Sequence, residues 1–143
     1  MSNLSLFLKK NKKTRENAKY AATKSLCDSK GNPLEWEVKA ITTKENDNIR
    51  EDCMIEVPVK GKPGQFRFKL NTSKYIAKMI CTSVVFPDLM NAELQDSYGV
   101  KTPEDLLMEM IDDPGEYNDF AAFIQNFNGF DTSMEDKVEE AKN

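Results

Sequence analysis

The sequence predicts an α+β fold, with N-terminal antiparallel β-hairpins followed by a C-terminal helical half. Three observations predict it. In the segments Leu34–Val38 and Phe66–Leu70 the apolar residues fall at every second position, the period of a strand with one wet face. From Asn71 they recur at three and four, the period of a helix packed along one side. The charge also divides. From Asp88 onward fifteen Asp and Glu stand against three Lys, a net of −12, whereas the residues before it carry seventeen Lys and Arg against nine acids, a net of +8. The overall −4 therefore hides a dipolar chain, suited to steering partners or to head-to-tail self-association. Two solvated faces of an ordinary protein explain the same division.

Taken in order, Leu4, Leu6, Phe7 and Leu8 form a short apolar patch ahead of the basic run Lys9–Arg15. Residues 1–13 are expected to be a flexible segment, too short for a stable free helix. Tyr20, Ala22, Lys24 and Leu26 alternate with their neighbours, DSKGNP supplies a turn, and Leu34, Trp36 and Val38 place apolar groups on one face opposite Glu35, Glu37 and Lys39. These predict a hairpin anchored by Trp36, the only tryptophan. Thr42–Glu51 is polar and reads as either a surface helix or a loop. Cys53–Val59 and Gln65–Leu70 predict a second hairpin across KGKPG. Its Phe66, Phe68 and Leu70 alternate with Arg67 and Lys69 as in a half-buried strand.

Asn71, Thr72 or Ser73 caps the next helix, whose apolar face runs through Tyr75, Ile76, Met79, Ile80, Ser83 and Val84 until Pro87 stops it. Asn91 leads a short helix that Gly99 ends. Thr102 and Pro103, with Glu104 and Asp105, mark the start of a helix striped by Leu106, Leu107, Met110 and Ile111. Asp113, Pro114 and Glu116 repeat the signal for a last helix, with Tyr117, Phe120, Ala121, Ile124 and Phe127 on one side and Gly129 at its end. Residues 14–131 thus read as one α+β domain, β-rich over 14–70 and helical over 71–131. Residues 132–143 read as an acidic disordered tail.

The composition narrows function by exclusion. Without histidine there is no Ser–His or Cys–His nucleophile pair and no histidine-ligated metal. The six glycines form no phosphate-binding or dinucleotide fingerprint. Asp112–Asp113 and Glu139–Glu140 are neighbours in sequence, whereas acid–base work requires carboxyls converging from separated positions. The chain is therefore expected not to be an enzyme and to use no cofactor. Cys27, Cys53 and Cys81 fit neither a disulfide framework nor a metal knuckle, which favours a reducing cytoplasm. No apolar run approaches the ~20 residues of a membrane span, and the N-terminus reverses the order of a secretory signal.

What remains is a protein-binding surface. Phe123 lies off the apolar stripe of the last helix, and a small core does not easily cover both sides of one helix. Leu107, Met110, Phe120, Phe123 and Phe127 are the candidate partner-binding residues; the plainer reading packs Phe123 under a neighbouring element. Met79, Met90, Met108 and Met110 are adaptable lining for such a groove. Lys9–Arg15 and the Lys60–Pro63 loop offer a nucleic-acid reading, which the acidic half opposes and a steep salt dependence of affinity would support.

The run VVFPDL…NAELQDSYGV…PEDLL…DPGEYNDF…NGFD, with LSLFLKKN, KYAATKSLCDSKGNPLEWEVKAIT and CMIEVPVKGKPGQFRFKLNTSKYIAKM before it, resembles the XkdN-like tail assembly chaperones of long-tailed phages and prophages of Gram-positive bacteria. The likeness covers Leu4 to Asp131. Glu93–Val100 and Pro114–Phe120 are its most specific parts, and it carries no agreed binding residues. It implies a non-enzymatic role in the host bacterial cytoplasm: binding the tape measure protein, keeping it soluble while the tail tube polymerises, and staying out of the virion. Many genes of this kind also yield a longer, frameshifted product that recruits the tail tube protein; where that holds, this chain is the short form. The competing class is a structural component such as a tail completion protein, which mass spectrometry of purified particles separates from a chaperone.

Overall fold

The computed structural model describes residues 3–130, and the expected acidic tail lies outside the described residues. The chain opens with 3₁₀ turns at Asn3–Phe7 and Lys9–Asn11. β1 (Ala18–Tyr20) pairs antiparallel with β2 (Trp36–Val38), and β2 pairs in turn with β5 (Val84–Phe86), giving a three-stranded sheet in the order β1-β2-β5. Between β2 and β5 come α1 (Thr43–Asp52), the two-stranded hairpin of β3 (Met54–Pro58) and β4 (Phe66–Leu70), and α2 (Thr72–Ser83). Then follow α3 (Ala92–Ser97), α4 (Pro103–Met110) and α5 (Pro114–Phe127).

The helix starts follow local chemistry. Asn71, Asn91, Thr102 and Asp113 each accept a first-turn backbone N–H, satisfying donors that a helix leaves unpaired, and proline stands at the start of α4 and α5. The ambiguous polar stretch is helical because Thr42 and Glu45 form a reciprocal cap: Glu45 N donates to Thr42 Oγ1 at 3.1 Å, and Thr42 N donates to Glu45 Oε1 at 3.0 Å. Gly99 and Gly129 take φ of +71° and +84° where α3 and α5 end, a region costly for residues with a Cβ.

Helix α2 packs against α1, α4 and α5. It buries Tyr75, Met79, Ile80 and Ser83, while α4 contributes Leu106, Leu107 and Met110 and α5 contributes Phe120 and Ile124. Trp36 and Val38 close this core from the sheet, with Phe120 edge-on to Trp36 at a centroid distance of 5.5 Å. Asn128, just past α5, joins three segments. Its Oδ1 accepts Ile41 N at 2.7 Å, and its Nδ2 donates to Ser83 Oγ at 3.1 Å and Ile124 O at 2.9 Å. These bonds satisfy polar groups that would be expensive to bury alone.

Four expectations change. The first predicted strand stops at Tyr20, because Glu116 takes the following backbone: Thr23 Oγ1 and Lys24 N donate to its two carboxylate oxygens, each at 2.8 Å. Glu116 therefore ties the loop to α5 and does not form a capping box with Asp113. Val84 leaves α2 and begins β5, where the β-branched pair Val84–Val85 suits a ladder and β2 offers an open edge. The β3–β4 hairpin is not half-buried: Phe66 and Phe68 are 62% and 68% exposed.

Candidate interaction surfaces

The five candidate partner-binding residues separate into two groups. Leu107 and Phe120 are fully buried and Met110 nearly so, which makes them core in the folded protomer. Phe123 and Phe127 are half-buried and stack on each other at 6.0 Å. Tyr20 lies against Phe123 at 4.4 Å and against Phe120 at 5.4 Å, both nearly parallel. One strand residue thus covers the side of α5 that the helical pattern left without a neighbour. Burial raises the Tyr20 phenol above its ordinary value, helped by the nearby charges of Asp119 and Glu116, so it stays neutral at physiological pH.

The edge formed by Phe123 and Phe127 also meets the N-terminal segment. Arg15 Nη1 donates to Phe127 O at 2.8 Å, placing a cation at the negative end of α5. That bond tethers a segment whose Leu6 and Phe7 are 69% and 83% exposed. The candidate residues do not include this segment, whose LSLFL run is exposed.

Two clefts lie on the acidic side. One, of about 280 Å³, runs between α2, the start of α4 and the segment after β5, with Lys78 and Glu104 paired at 3.5 Å on its wall. The other, of about 390 Å³, is lined by Phe86, Asp88, Glu93 and Leu94, and the two share Asp88. The first is lined by Asp52, Lys78, Cys81, Thr82 and Glu104 among others. The nearest thiol, Cys81, is pushed up to about 12 by burial and is therefore a protonated, poor nucleophile. Among the described residues no group of three or more His, Cys, Asp or Glu could hold a metal ion, and no helix is long and apolar enough to cross a membrane. The arrangement provides apolar contact surfaces on a satisfied frame: no buried side-chain N or O among the described residues lacks a partner.

Residues 4–142 match the family described as phage XkdN-like tail assembly chaperone protein. The chain is 29% identical over 140 residues to the phage-like element PBSX protein XkdN of Bacillus subtilis (strain 168), covering 98% of this chain and 93% of that protein. It is 28% identical over the same length to the uncharacterized protein YqbN of the same strain, with the same coverage. The crystal structure of the protein YqbN shares the fold, with a TM-score of 0.75 at 22% identity over 92% of this chain and 99% of that one.

Proposed function

The chain belongs to the phage XkdN-like tail assembly chaperone family, and from that premise we propose that its client is the tape measure protein. In this reading it binds apolar helical stretches of that protein in the host cytoplasm and keeps them soluble while the tail tube polymerises. It then stays out of the finished particle. A frameshifted longer form, where one is made, brings the tube protein to the same complex.

The observation that supports this reading is the apolar edge at the end of α5. Phe123 and Phe127 present half-buried faces there, Arg15 is held on Phe127 O, and the segment ahead of Arg15 exposes Leu6 and Phe7. Large apolar side chains left in solvent are material for contact with a partner. Leu107, Met110 and Phe120 support this edge from the core and do not touch the client directly. The acidic helical half supplies charge that keeps the complex in solution.

Co-expression with the tape measure protein of the same phage tests the proposal. Wild-type chain should shift the tape measure protein into the soluble fraction and co-purify with it. Phe7→Asp should lose both effects while its thermal unfolding is unchanged, since Phe7 takes no part in the core. Equal solubility with and without the chain would overturn the proposal. Mass spectrometry of purified particles should find the chain absent; stoichiometric amounts would identify a structural tail component instead.

A further inference from the structure

The β3–β4 hairpin is the element that neither the core nor the client edge accounts for. Its strands pair with each other in full register and leave the body where Asn71 N donates to Cys53 O at 2.8 Å. Opposed residues of an antiparallel pair share a face, so Met54, Phe66 and Phe68 lie together on one side. All three are exposed, and of that face only Leu70, at the base, packs against the core. An isolated two-stranded ribbon is marginal in water and has two open edges. This one is also basic: residues 54–70 hold Lys60, Lys62, Arg67 and Lys69 against Glu56, a net of +3.

The matching surface is elsewhere on the same chain. Residues 86–98 hold Asp88, Glu93 and Asp96 and no Lys or Arg, a net of −3, around the cleft lined by Phe86 and Leu94. The hairpin does not cover this cleft in its own protomer, because Phe66, Phe68, Phe86 and Met90 all remain more than three-fifths exposed. We propose that the β3–β4 hairpin is a docking arm whose aromatic face seats in the Phe86–Leu94 cleft of a second copy of this chain. Lys60 and Lys62, in the loop that joins the two strands, then lie at the rim toward the partner copy's acidic α3. Apolar contact at the centre and opposite charge at the rim are the arrangement that fixes both affinity and register. The contact leaves the N-terminal segment and the α5 edge free for a client.

Light scattering across a protein-concentration series tests this directly. Wild-type chain should associate reversibly, and raising salt from about 0.05 to about 0.5 M should weaken the association. Phe68→Ser should be monomeric with an unchanged circular dichroism spectrum, as Phe68 is 68% exposed. Reversing the arm with Lys60→Glu and Lys62→Glu, or the cleft with Glu93→Lys and Asp96→Lys, should raise the dissociation constant about tenfold or more. All four changes in one chain should restore it. A wild-type chain monomeric throughout the series, association undiminished in Phe68→Ser, or four reversals no better than two would each overturn the proposal. So would loss of the tape measure protein by Phe68→Ser in a chain that is monomeric, which would assign the arm to the client.

Discussion

The helical half and the β3–β4 hairpin carry similar aromatic and aliphatic side chains but use them in opposite ways. In α5, Phe120 is fully buried between Trp36 and Tyr20; in β4, Phe68 is 68% exposed with no core beneath it. Both are the apolar half of a regular pattern, at helical spacing in one case and alternating in the other. The difference lies in what surrounds them. Helix α5 meets α2 and the sheet, whereas the hairpin packs against the core through Leu70 at its base. Periodicity therefore identifies a face that excludes water, and the neighbouring elements decide whether the same chain or another molecule covers it.

The largest expected effect is at the closed end of this comparison. Phe120→Ala removes a ring packed on two aromatic neighbours and should cost about 3–5 kcal/mol, read as a lower midpoint in denaturant titration. Asn128→Ala comes next. It leaves the Ile41 N–H and the buried Ser83 hydroxyl without their partner, at a cost of about 1–3 kcal/mol. A cost near zero there would mean that water replaces the amide and that the three segments are not joined through it.

Glu116 sharpens the comparison through pH. Bonds from Lys24 N and Thr23 hold its carboxyl below its ordinary value of 4.5. A group whose folded pKa is depressed contributes stability that is present above the unfolded value and disappears as pH falls through the folded one. The wild-type protein should therefore lose thermal stability as the pH drops below about 4.5. Glu116→Gln should start lower at neutral pH and show a shallower acid slope. Parallel slopes would remove Glu116 as the tie between the loop and α5. The smallest effect belongs to the open end: Phe68→Ala should change stability by no more than about 0.5 kcal/mol. A loss there as large as at Phe120 would collapse the distinction between the two regions.

Much of the helical half was legible because helix starts are written locally. Asn91, Thr102–Pro103 and Asp113–Pro114 each act within one turn, and all three helices begin where they stand. The Thr42–Glu45 box was equally local and readable, yet the polar stretch after it could still be taken for a loop. Strand β5 was hidden because Val84 continues the helical face of α2, and only the open edge of β2 draws it away. Glu116 presented the spacing of a capping box, but its two bonds reach across more than ninety residues to Thr23 and Lys24, a choice no local pattern contains. The candidate site divided for the same reason. Leu107 and Met110 became core because α4 packs on α2, and Tyr20 arrives from a distant strand to lie against Phe120 and Phe123.

Hydrogen–deuterium exchange on the chain with and without the tape measure protein tests the central claim most directly. The account predicts new protection at residues 4–15 and 123–130 on client binding, with the amides of α4 and the first half of α5 already protected and unchanged. Protection appearing instead across residues 106–120, as these helices open to take the client between them, would contradict it.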